Sequence, residues 1–150
     1  LARHCDVFYI GGTKLGALCG EAVVFTHQNA HKHFFSIQKQ HGAVIAKGAL
    51  IGLQFEALFT DDLYFKLARH ANEMAMRMKE LFKKKGLSFY VDSPTNQQFV
   101  IINDEQVERL SHKVQFTHFG QTERHQTICR FVTSWATTDE DIKELEKALD

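Results

Sequence analysis

Cys5-Asp6-Val7-Phe8-Tyr9-Ile10-Gly11-Gly12-Thr13-Lys14 is the stretch on which the fold turns. A run of strand-forming residues ends in two glycines, and a lysine follows at once. A second such run, Glu21-Ala22-Val23-Val24-Phe25, lies just beyond. The pattern predicts two buried strands, at 5–10 and 21–26, with a glycine turn that sets Lys14 between them. Burial disfavours the charged form of an amine. A neutral amine can form a Schiff base with a carbonyl compound, including an aldehyde cofactor. The other reading is a tight turn whose lysine points to water.

The chain of 150 residues is one domain's worth of sequence, or parts of two. At 44% hydrophobic, with 13 phenylalanines, it can bury a real core. A single proline and 24% charged residues argue against disorder. The formal net charge is zero, and the run Lys83-Lys84-Lys85 falls at a predicted helix end, where cations suit the helix dipole. Nucleic acid is therefore not an expected partner. Cys5, Cys19 and Cys129 have no close pair and read as reduced thiols of a cytoplasmic protein. No apolar run approaches the roughly 18 residues of a membrane helix. The chain opens on Leu1 and enters a strand within a few residues, which suggests a piece of a longer protein.

Further along, residues 33–55 are apolar on nearly every face and rich in small residues, and predict one long helix. Thr60-Asp61-Asp62 offers an N-cap to the helix that follows, in which Leu63, Leu67, Ala71, Met74, Met78 and Leu81 repeat at helical spacing. Strands are expected at 87–91 and 98–102 around the turn Ser93-Pro94-Thr95-Asn96. Asp104 is the expected cap of a short helix, strands follow near 115–119 and 127–133, and Thr137-x-x-Glu140 reads as a capping box for the last helix. From residue 62 onward this is a small α+β unit with a largely antiparallel sheet. His27, His31, His33 and His41 crowd together without a cysteine or carboxylate at metal-ligand spacing. Those four, and His70, His112, His118 and His125, read as ordinary surface or satisfied histidines, and no metal is expected.

Two segments carry a resemblance. One is Asp6 to Lys14 with Gly16-Ala17-Leu18 and Gly20-Glu21-Ala22; the other is Arg130-Phe131-Val132-Thr133-Ser134-Trp135-Ala136-Thr137. With Phe59-Thr60-Asp61-Asp62-Leu63-Tyr64 and Asp92-Ser93-Pro94-Thr95-Asn96-Gln97-Gln98, they resemble the threonine aldolase / β-eliminating lyase family of pyridoxal-phosphate enzymes. The resemblance implies an α/β chain, the C-terminal part of a fold-type-I pyridoxal-phosphate-dependent transferase-like fold. Residues 1–32 would end the large domain, 33–61 would form the linking long helix, and 62–150 the small α+β domain. It implies that Lys14 forms the Schiff base with pyridoxal 5'-phosphate and that Arg130 binds the substrate carboxylate, which suits a rigid two-pronged donor. Thr13 and Lys39 would lie near the cofactor, Lys39 near its phosphate.

The implied reaction is carbon–carbon cleavage of a threonine-like β-hydroxy-α-amino acid to glycine and an aldehyde. A homo-oligomer, dimer or tetramer, is implied as well. Since only 13 residues precede Lys14, the chain alone is expected to be inactive. Another β-eliminating lyase or an aminotransferase on the same fold is the first alternative, and a non-catalytic assembly module is the second.

Overall fold

The first two strands lie where the apolar runs place them. In the computed structural model, which describes residues 1–122, 124 and 126–150, β1 (Val7–Gly11) and β2 (Glu21–Phe25) form an antiparallel pair. Val7 faces Phe25 and Gly11 faces Glu21. The expected burial is absent. Phe8, Ile10, Ala22 and Val24 are partly covered, whereas Val7, Tyr9 and Val23 are exposed. The physical reason is that, among the described residues, this sheet has two strands. A two-stranded ribbon covers one face at best, and side chains alternate between faces.

The single helix expected over 33–55 is two helices, α1 (Phe34–Gln40) and α2 (Ala49–Phe59). Apolar residues continue through the break, so hydropathy gives no sign of it. Gly42 makes it. With φ at +68° it takes the left-handed conformation that side chains resist. The Gly42 N–H donates to the Lys39 carbonyl at 3.1 Å and the Ala43 N–H to the Gln38 carbonyl at 2.8 Å, the paired bonds of a Schellman stop. Phe55 and Leu58 of α2 are buried, while Leu50 and Leu53 are exposed.

Thr60-Asp61-Asp62 is a short 3-10 turn. The Thr60 hydroxyl donates backward to the Glu56 carbonyl at 2.8 Å, and Asp61 and Asp62 have φ of 51° and 58°. The helix beyond is α3 (Leu63–Lys84), and its buried stripe of Ala71, Met74, Ala75, Met78, Leu81 and Phe82 follows the spacing read from the sequence. The chain divides into two compact units, Leu1–Tyr64 and Phe65–Asp150.

The second unit continues with β3 (Ser88–Val91), β4 (Gln97–Ile102), α4 (Asp104–Ser111), β5 (Thr117–Gln121), β6 (Thr127–Val132) and α5 (Asp139–Leu149). Its sheet has the order β3-β4-β6-β5, and every neighbouring pair is antiparallel. One sheet face carries Val100, Ile102, Cys129 and Phe131, which share a core with Phe82 of α3, Leu110 of α4 and Leu145 of α5. Full burial of each such large apolar side chain contributes about 1.5–3 kcal/mol. Phe82 has no exposed surface, and its ring lies 4.9 Å from that of Phe131.

Two caps differ by one residue from those expected. Asn103 rather than Asp104 caps α4, in a reciprocal box with Gln106. Thr138 rather than Thr137 caps α5, paired with Asp141, whose carboxyl is held below the usual range chiefly by hydrogen bonds from the Thr138 backbone and hydroxyl. In both places two adjacent residues could cap, and backbone geometry chooses the one in extended conformation. Where β5 meets β6, Thr117 faces Arg130, His118 faces Cys129 and Gly120 faces Ile128, so Phe119 is the extra residue of a bulge.

Candidate functional site

Lys14 occupies the 3-10 turn Thr13–Leu15 inside the loop from β1 to β2. That loop is braced from several sides. The Leu15 and Ala17 N–H groups both donate to the Gly12 carbonyl, at 2.9 and 3.1 Å. The Leu18 N–H donates to Gln54 Oε1 at 2.6 Å, tying the loop to α2. The Tyr64 hydroxyl donates to the Gly11 carbonyl at 3.1 Å, and burial pushes its pKa above the ordinary tyrosine value. Gly12 is itself buried: a Cβ there would sit 2.8 Å from Ala17 Cβ and 3.2 Å from the Phe55 ring. The glycine is therefore needed for close approach of the loop to α2.

Within this braced loop Lys14 is exposed, and its amine has no hydrogen bond or ion pair among the described residues. This corrects the expectation of a lysine enclosed by two buried strands. The ribbon is too narrow to enclose it, so burial within this unit is not what would make the amine reactive. Thr13 is exposed beside it, and Lys39 is exposed in the last turn of α1.

Arg130 belongs to the second unit, in the middle of β6. It lies on the sheet face opposite the core, between Phe99 of β4 and Thr117 of β5. Its guanidinium is under-satisfied. Nη1 donates to Gln97 Oε1 and Nη2 to Thr117 Oγ1, each at 3.4 Å, the outer limit of a hydrogen bond. Nε is buried with no partner among the described residues. No carboxylate pairs with Arg130 among the described residues, so the structural ion pair that a strand arginine often makes is not what holds it. A buried donor without an acceptor costs about 1–3 kcal/mol and calls for an explanation. Beside the side chain runs an open groove of about 420 Å³, lined by Arg130, Thr117, His118, Gln115 and Phe116 among others.

Two other polar features are structural. Lys79 is buried and reaches the Asp92 carboxylate and the Ser93 carbonyl. That contact, through its hydrogen bond and then its charge, holds the Asp92 carboxyl below the ordinary range. Gln98, fully buried, donates to the Ser93 and Thr95 carbonyls at 3.3 and 2.9 Å and so fixes the turn before β4. Among the described residues no cluster of three or more histidines, cysteines or acids could hold a metal. His125 lies outside the described residues.

Known proteins resemble the chain along nearly its whole length. No family model matches the chain. The low specificity L-threonine aldolase of Pseudomonas aeruginosa is 28% identical over 145 residues, covering 95% of this chain and 40% of the relative. The structure of a threonine aldolase from Leishmania major superposes on 99% of this chain with a TM-score of 0.89 at 34% identity, and 43% of that protein is covered. In sequence and in fold the chain is similar, over nearly its whole length, to part of these threonine aldolases. At 13% identity, a serine palmitoyltransferase with its pyridoxal phosphate shares the fold alone, with a TM-score of 0.61 over 96% of this chain and 38% of that one. The fold of this threonine aldolase-like chain is thus part of the fold-type-I pyridoxal-phosphate architecture, as the two segments suggested. It spans about 40% of the length of the curated relatives it matches.

Gln97 and Thr117 were given no role by the sequence. Strand register would have been the signal, because it sets Thr117 opposite Arg130 and Gln97 diagonally across from it.

Proposed function

We propose that this chain is part of a pyridoxal-phosphate-dependent carbon–carbon lyase that cleaves L-threonine-like β-hydroxy-α-amino acids to glycine and an aldehyde. The observation that carries the reading is the correspondence of 99% of the chain to a threonine aldolase structure at a TM-score of 0.89. The residues fit the cofactor. Lys14 offers an unpaired amine on a loop whose position is fixed by Gly12, Gln54 and Tyr64, and it would hold the cofactor through that amine. Thr13 and Lys39 are proposed as further cofactor contacts, Lys39 toward the phosphate; their exposure leaves both side chains able to serve.

When bound, pyridoxal phosphate supplies an electron sink for the bond broken at the substrate α-carbon. Arg130 supplies position. Its donors, engaged among the described residues by two long hydrogen bonds, are proposed to take the substrate carboxylate in a charge-assisted pair. Fixing the carboxylate constrains rotation at the α-carbon, and orientation of that kind can lower a barrier by several kcal/mol. The chain alone is proposed to turn over little substrate, since it spans about 40% of its curated relatives. A cytoplasmic homo-oligomer, dimer or tetramer, completes the proposal. Three free cysteines and the exposed Leu50 and Leu53 of α2 support it, and no helix among the described residues is long and apolar enough to cross a membrane.

The test is to titrate the purified chain with pyridoxal phosphate, reduce with borohydride and map the modified lysine by mass spectrometry. Preferential labelling of Lys14, lost in Lys14→Ala without a rise elsewhere, is the expected result. Labelling spread evenly over the surface lysines would overturn the assignment of Lys14.

A further inference from the structure

We infer that Gln97 and Thr117 are positioning residues that set the plane and heading of the Arg130 guanidinium for a carboxylate, an inference that rests on the reading of Arg130 given above. The two hold it from opposite sides. Thr117 comes from β5 and faces Arg130 directly in the ladder, while Gln97 comes from β4, two residues before Phe99, the other direct neighbour. Each gives one side-chain oxygen at 3.4 Å, Gln97 to Nη1 and Thr117 to Nη2. A planar fork with one weak contact at each terminal nitrogen has its plane biased by the sheet rather than by loops.

Both acceptors are neutral, and that selects for the proposed task. A carboxylate at either position would pair with the guanidinium and compete with a carboxylate ligand for the same charge. Neutral oxygens at long distance orient the arginine while leaving its charge uncompensated and Nε without an acceptor among the described residues. The bulge at Phe119 contributes by local geometry. It takes up the irregularity of β5 after His118, so the pairing of Thr117 with Arg130 is kept.

The experiment uses the whole chain labelled with ¹⁵N, in which the Arg130 Nε–H resonance is assigned by its loss in Arg130→Lys. Without ligand, rotation about the Arg130 Cζ–Nη bonds reports the positioning alone. Thr117→Val and Gln97→Met are expected to speed it at least about threefold, and Thr117→Ser, which keeps the oxygen, to return it to the wild-type rate. Glycine is then added as the carboxylate probe. A saturable shift of the Nε–H resonance is expected in the wild type, with the apparent Kd raised about fivefold or more in Thr117→Val and Gln97→Met. In Gln97→Glu the shift should be abolished. Unchanged rotation in both of those apolar variants, or glycine affinity equal to wild type in both, would overturn the positioning roles while leaving Arg130 as the carboxylate site. A wild-type resonance that glycine does not move would instead overturn the reading of Arg130, whatever the rotation rates show.

Discussion

Gly12→Ala should loosen the Lys14 loop by an amount that the structure sets. The new Cβ would lie 2.8 Å from Ala17 Cβ, about 0.7 Å or more inside the usual 3.5–4.0 Å carbon separation. Ala17 Cβ has no rotamer to escape through, and Ala17 is buried with its N–H bonded back to the Gly12 carbonyl. The Phe55 ring, at 3.2 Å, blocks the other direction. Overpacking of this kind costs about 1–3 kcal/mol. If it falls on the closed loop, about 2 kcal/mol is roughly a 30-fold larger open population. Hydrogen exchange should read this directly, because the Leu15, Ala17 and Leu18 amides are all bonded within the loop or to Gln54. Their exchange should speed by about that factor while the Val100 and Ile102 amides of the second unit keep their rates. Adding Ala17→Gly removes the closest contact and should recover at least half of the lost protection on a logarithmic scale. Unchanged exchange in Gly12→Ala would refute the close approach. A double variant no better than the single one would refute Ala17 as its cause.

Two further outcomes follow from the second unit. Cys129 has no exposed surface, and burial raises its thiol pKa from 9.0 to about 11. The folded state therefore holds a proton that the unfolded state releases between those values. Stability from this group is full below the unfolded pKa and falls as pH rises through about 11, by an amount on the order of 2 kcal/mol. Denaturant titrations of wild type and Cys129→Ala from pH 8 to 11 should show a shallower decline in the variant, and parallel declines would contradict the assignment. The Thr133 hydroxyl, buried, donates to the Ala71 carbonyl at 2.7 Å and so joins the end of β6 to α3. Thr133→Val should cost about 1 kcal/mol in the same assay, and Thr133→Ser should keep the bond but lose methyl packing.

The sequence made the order and place of the elements legible wherever a local signal agreed with packing. The Gly11-Gly12 turn, the stripe of α3 and the alternation of β4 are cases where period and burial coincide. It misled where burial depends on partners outside the local segment. Phe8 and Ile10 have the composition of a buried strand, yet a two-stranded ribbon cannot enclose them or Lys14. The break at Gly42 was illegible because a Schellman stop rests on one φ angle rather than on hydropathy. Arg130 drew attention only through family resemblance. Its poorly satisfied guanidinium needs the register of three strands to be seen, and so do Gln97 and Thr117.

The bulge at Phe119 has a second consequence, for how this chain behaves toward copies of itself. β5 is an edge strand, exposed along its whole length from Thr117 to Gln121. A flat exposed edge is a template on which another strand can add, and continued addition leads to aggregation. An extra residue in the middle of so short a strand breaks the even row of amides and carbonyls that an incoming strand would read, and increases the local twist. Deleting Phe119 would restore the row. Each remaining residue of β5 would keep its partner on β6, and with it its face of the sheet. The irregularity that keeps Thr117 opposite Arg130 also guards the sheet against growing.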